Sequence, residues 1–146
     1  MLAGQKSLTI QAPAAAVLAV VGDIEGYPDW HPFFLSVRPT ARDAQGRVIA
    51  ADCRHNASVT TLSTVLEFIH ADSAVTARRR GGDLRALEGV FEVREEDGAS
   101  VVTHRLLVDP GARLGLLLRG PVEERVRTRV LEGALDGLQA QLARGG

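Results

Sequence analysis

Cysteine, lysine and long apolar runs are nearly missing from this chain of 146 residues. Its one cysteine, Cys53, excludes an intramolecular disulfide and any cysteine-rich metal cluster. Its one lysine, Lys6, leaves the positive charge to arginine, and the net charge is −1. A near-neutral chain gives no electrostatic footprint for nucleic acid. No stretch approaches the ~20 apolar residues of a membrane span. Residues 1–9 alternate polar and apolar side chains, which is not the core of a signal peptide. The expected location is therefore cytoplasmic. Aromatic residues are scarce at 4%, yet four of the six crowd into residues 24–34.

What is present is a 45% hydrophobic, 24% charged composition, ordinary for a soluble globular protein. One domain over 1–146 is expected, with a real core. Residues 121–144 carry apolar side chains at Val122, Val126, Val130, Ala134, Leu138 and Leu142, widened by Leu131 and Leu135. That spacing predicts a long amphipathic helix. Pro121 suits its first position, Glu123 and Glu124 complement its positive start, and Gly145 and Gly146 end it. A rod of this length needs a broad apolar surface, and most of the remaining chain reads as strand.

Residues 6–11 read as a first strand, and Pro13 opens a short helix over Val17, Val20, Val21 and Ile24. Residues 24–34, IEGYPDWHPFF, hold two prolines and predict a short helical turn and then a loop. From 34 to 108 turns recur about every ten residues, as in an antiparallel meander. The strands fall at 35–42, 47–55, 59–69, 75–80, 86–94 and 102–108. Alternation puts Leu87, Gly89, Phe91 and Val93 on one face, and Val102, His104, Leu106 and Val108 on one face of the next strand. Ile49, Ala51, Cys53 and His55 share a parity, as do Leu62, Thr64, Leu66 and Phe68. Leu114, Leu116, Leu117 and Leu118 form an apolar patch that reads as a helical turn or a lid.

This order resembles the START/polyketide cyclase superfamily, the helix-grip fold. The matching pieces are Ile10-Gln11-Ala12-Pro13, the segment Asp23-Ile24-Glu25-Gly26-Tyr27-Pro28-Asp29-Trp30, the strand Leu87-Glu88-Gly89-Val90-Phe91-Glu92-Val93, and the long last helix. The resemblance implies an α+β fold. A curved antiparallel sheet of about seven strands wraps a long C-terminal helix, with two short helices after the first strand. It also implies an internal apolar cavity and leaves the chemistry open. Three readings stand: a polyketide cyclase or dehydratase, a non-catalytic carrier of a lipid, quinone or polyketide, and a protein-interaction module.

On the cavity reading the ligand-binding candidates are Trp30, His31, Phe34, Leu66, Phe68, Gly89, Phe91, Leu131 and Leu135. Trp30 and His31 are expected near the cavity mouth. Gly89 leaves either room for a ligand or freedom for the sheet to bend. The catalytic candidates are His104 and His55, as general acid/base groups on inward parities. Each also reads as a core histidine with one hydrogen bond. One of Arg78, Arg79 and Arg80 must face inward if its strand is regular. The carboxylates Asp52 and Glu67 fall on the outward parity, so no metal site is assigned, and no cofactor is called for. The expected partner is a small hydrophobic ligand, with monomer and homodimer both open.

Overall fold

The computed structural model describes residues 2–116 and 119–145. Leu117, Leu118 and Gly146, which the sequence reading used, lie outside the described residues. Seven strands form one antiparallel sheet in the order β1-β7-β6-β5-β4-β3-β2. They are β1 (Leu2–Ile10), β2 (Phe34–Arg42), β3 (Val48–Asn56), β4 (Thr61–His70), β5 (Ala74–Gly82), β6 (Ala86–Glu96) and β7 (Ala99–Asp109). Between β1 and β2 lie α1 (Ala14–Val21), a 3₁₀ turn (Ile24–Gly26) and α2 (Tyr27–Trp30). After β7 come α3 (Gly111–Gly115) and α4 (Pro121–Gly145). This is the expected helix-grip α+β architecture, with α4 packed on β1 and β7 and against α1 and α2.

The alternation in each strand decides which side chains meet α4. Leu62, Leu66, Phe68, Leu87, Phe91, Val93, Val102, Leu106 and Val108 are buried, as are Ala51 and Cys53. The outer face of the same sheet carries cross-strand ion pairs: Arg38 with Asp52, Arg80 with Glu67, Arg78 with Glu88 and Arg105 with Glu92. The helix stripe is equally direct. Val126, Val130, Leu131, Ala134, Leu135 and Leu138 are buried, and Val122 and Leu142 pack at the margins.

Three departures have physical causes. β1 starts at Leu2 and not at Lys6, because its Leu2–Ile10 backbone pairs along the whole of β7. Gly4 lies on its inner side, where an added Cβ would stand 2.8 Å from Leu131 Cδ1, so α4 comes close to this edge strand. The second departure is on α4 itself. Gly133 and Gly137, one turn apart, form a notch for the chain leaving α2. An added Cβ at Gly137 would sit 2.0 Å from the Trp30 carbonyl oxygen, and one at Gly133 would sit 3.0 Å from Pro32. The third concerns Trp30 and His31. Both are buried, because this notch draws their segment down between helix and sheet. The sequence reading expected them near the cavity mouth; they are part of the packed interior, and His31 lines the cavity. The C-terminal patch divides as well: Leu114 is partly buried, whereas Leu116 is 67% exposed.

Candidate functional site

The inner face can be followed in rows across the strands. His70, Val75, Phe91 and His104 make one row, and Phe68, Ala77, Gly89 and Leu106 make the next. In the second row two neighbouring positions carry almost no side chain. Small residues at Ala77 and Gly89 leave unfilled space under α4, and the cavity there measures about 30 Å³. It is bounded by Tyr27, His31, Phe33 and Phe34 from the α2 segment and by Val130 from α4. Leu66, Val75, Leu87, Phe91, His104 and Leu106 supply the sheet side.

Aromatic rings close one end of this space. Tyr27 meets Trp30 and Phe34 edge-on at centroid distances of 5.1 and 5.2 Å. Its hydroxyl donates to the Val21 carbonyl at 2.5 Å. Burial, reinforced by Asp23 and Cys53, pushes the phenol pKa far up, so this group stays neutral. His104 stacks on Phe91 with centroids 4.2 Å apart and planes 7° apart, and His31 stands edge-on to it at 6.0 Å.

Two imidazoles, His104 and His31, stand in the cavity wall; in His104 both ring nitrogens lack a side-chain partner among the described residues. Its Nδ1 is buried without a hydrogen-bond partner, and its Nε2 is 3.9 Å from where a Cβ at Gly89 would lie. Burial lowers its pKa to about 4. The nearby carbonyls of Val130 and Leu131 offset this in part but make no hydrogen bond to Nδ1. The ring is therefore a neutral imidazole at pH 7, able to accept a proton or a hydrogen bond. His31 Nδ1 accepts a 3.3 Å hydrogen bond from the Phe33 N–H, which places the proton of its neutral form on Nε2. Burial, then the proximity of His104 and His55, holds its pKa well below the ordinary value.

His55 faces inward but stands behind the lining. Its Nε2 shares a 2.7 Å hydrogen bond with Thr64 Oγ1, and its ring stacks on Phe33 at 4.4 Å. Burial lowers its pKa to about 4. Of the expected ligand contacts, His31, Phe34, Leu66, Gly89 and Phe91 line the cavity. Trp30, Phe68, Leu131 and Leu135 are buried in the packing around it. The sequence reading did not assign Tyr27, Phe33, Val75, Ala77, Leu87, Leu106 or Val130 to the site. Val75 and Ala77 were open to the same alternation argument that placed Phe91. Cys53 is buried, and desolvation with the nearby Asp52 pushes its thiol up to about 12, which makes it unreactive. Among the described residues no three His, Cys, Asp or Glu side chains gather in metal-ligand geometry. No helix among them is long and apolar enough to cross a membrane.

Comparison with solved structures gives the same architecture over nearly the whole chain. A START superfamily protein from Mycobacterium smegmatis superposes with a TM-score of 0.84 at 18% identity, covering 99% of both chains. A protein from Thermus thermophilus gives 0.82 at 21% identity, also over 99% of both. The Zhui aromatase/cyclase from Streptomyces sp. R1128 gives 0.73 at 17% identity, over 97% of this chain and 93% of that one. At these identities the likeness establishes the fold. No curated protein matches the sequence significantly. The family model for polyketide cyclase/dehydrase and lipid transport proteins matches residues 1–143, and the chain belongs to that family.

Proposed function

We propose that this protein binds a small, flexible apolar molecule between the sheet and α4. The observation that carries this reading is the void at Ala77 and Gly89, walled by apolar and aromatic side chains together with the imidazoles of His31 and His104. Family membership supports it. A void of about 30 Å³ holds roughly two waters, whereas ligand sites of drug size run to ~300–1,000 Å³. On this reading a ligand must displace side chains to enter. A flexible chain can thread such a space stepwise, whereas a rigid polycycle needs all of the room at once. This favours a carrier or sensor of acyl-like molecules over an enzyme that folds a long polyketide.

The test is titration of the protein with an apolar fluorescent dye, alongside Gly89→Val. The Cβ is accommodated, since its nearest neighbour would be His104 Nε2 at 3.9 Å, and the added methyls occupy the void. Dye should bind at one equivalent per chain and weaken about tenfold in the variant, a change of ~1.4 kcal/mol. Unchanged affinity in a folded variant places the ligand elsewhere.

A cyclase or dehydratase reading draws on one specific observation, the unpartnered His104 at the cavity wall. A neutral imidazole there would take a proton from an acidic carbon of a bound substrate and return it to a leaving hydroxyl. His55 lacks the same access because Thr64 and Phe33 enclose it. His104→Gln abolishes turnover on this reading. On the carrier reading it changes affinity only slightly. The interaction-module reading has less support, because the exposed apolar residues Val65 and Ile69 are separated along β4 by Glu67, which is ion-paired with Arg80.

A further inference from the structure

β5 and β6 part company before their hairpin ends. Their pairing stops at Arg78 with Glu88, although β5 runs on to Gly82 and β6 begins at Ala86. Beyond that point β5 stays with β4, where Leu66 pairs with Arg79 and Thr64 with Gly82, past a register shift at Val65 and Leu66. The sheet therefore opens between β5 and β6 at this end. A groove of about 930 Å³ lies over the opening, lined by Arg79, Gly82 to Arg85 and the α3 segment.

The three consecutive arginines are not alike. Arg78 pairs with Glu88 and Arg80 with Glu67, both on the outer face. Arg79 takes the inward parity after Val75 and Ala77, which line the cavity. Its Nη2 donates to the Gly82 carbonyl at 2.9 Å. It has no carboxylate partner among the described residues, and its Nε is buried without any hydrogen bond. A charged donor left unpaired in that way is unfavourable and invites an acceptor. Its cross-strand neighbour Leu66 lines the cavity while Arg79 itself lines the groove. The groove adds Arg113 and Arg85, the latter already paired with Asp109 at 3.7 Å, and the one acidic side chain among its described lining residues, Asp83, is engaged by the Ser63 N–H at 2.8 Å.

From this geometry we infer that the ligand is an amphiphilic carboxylic acid. Its chain occupies the interior beneath Ala77 and Gly89, and its carboxylate meets Arg79 at the gap between β5 and β6. A planar guanidinium suits a carboxylate, and the pairing is charge-assisted. This inference rests on the cavity reading above and adds the headgroup to it.

The experiment compares decanoate with decan-1-ol, two probes of equal chain length, by displacement of the bound dye at pH 7. Wild-type protein should bind decanoate about tenfold more tightly than decanol, and added salt should weaken decanoate alone. Arg79→Gln should remove that preference and leave decanol unchanged. Arg79→Lys should keep part of it, and Arg78→Gln, on the outer face, all of it. If both probes bind equally to wild type, or Arg79→Gln weakens both alike, the headgroup assignment is overturned while the cavity reading stands. If neither probe displaces the dye, both fall. The wild-type salt dependence decides the matter even if Arg79→Gln does not fold.

Discussion

The two ends of the inner face are built on opposite plans. At the α2 end, Tyr27, Trp30, His31 and Phe34 interlock with Phe91 and His104, and the chain leaving α2 lies in the Gly133–Gly137 notch of α4. At the Arg79 end the strands separate, Arg79 has no carboxylate partner among the described residues, and the cover is the short α3 followed by an exposed Leu116. The small cavity lies between them. One end gains stability from dense packing of bulky rings. The other gives up sheet hydrogen bonds and close packing, as regions that must open for a ligand do.

The contrast can be broken in order of effect. Leu131→Asp or Leu135→Asp buries an unpaired charge under the sheet and should destabilise by about 4 kcal/mol or more, leaving little folded protein. Gln139→Asp, on the exposed side of the same helix, should change a thermal melt hardly at all. Gly137→Ala should come next, at about 3 kcal/mol, because its methyl would overlap a backbone oxygen that has no freedom to withdraw. If it melts like wild type, the notch does not anchor the α2 segment.

Acid should act on the same closed end. His55 and His104 have folded pKa values of about 4, against about 6.5 in an unfolded chain. Below pH 6.5 the unfolded state binds protons that the folded state refuses. The stability these two histidines contribute is therefore full above that value, declines as pH falls, and is lost by about pH 4. The loss is on the order of 3 kcal/mol per histidine. Urea melts at pH 7, 5.5 and 4.5 measure it, and His104→Gln should flatten the slope. A slope unchanged by that substitution would mean that His104 titrates in solvent. The smallest effect belongs to the open end, where Arg79→Gln should shift stability by only about 0.5 kcal/mol while changing headgroup preference.

Much of this was legible in the chain. Strand parity in β6 and β7 is visible because Leu87, Phe91, Val102 and Leu106 alternate with charged or polar residues, and a sheet covered on one face must follow that rule. The stripe on α4 is visible for the corresponding reason at a period of 3.6. The sequence leaves open which of Arg78, Arg79 and Arg80 faces inward, and the parity of Val75 and Ala77, which line the cavity, points to Arg79. Depth was harder to read. Two prolines around Trp30 and His31 signal irregular backbone, and nothing local shows that α4 offers a glycine notch more than 100 residues later to receive it. The signal was Gly133 and Gly137 at a spacing of four, which on a helix face means close approach of another backbone. Cavity volume was not legible, because it is a small difference between the space enclosed by facing elements and the side chains that fill it.

The central claim is that the interior opens beneath Ala77 and Gly89 to take an apolar ligand. The most direct measurement is methyl NMR during titration with decanoate. The methyls of Leu66, Val75, Leu87, Leu106 and Val130 should shift together and saturate at one equivalent, while those of Val65, Ile69 and Leu107 on the outer face stay in place. Saturable shifts confined to the outer-face methyls, with the interior set unmoved, would contradict it.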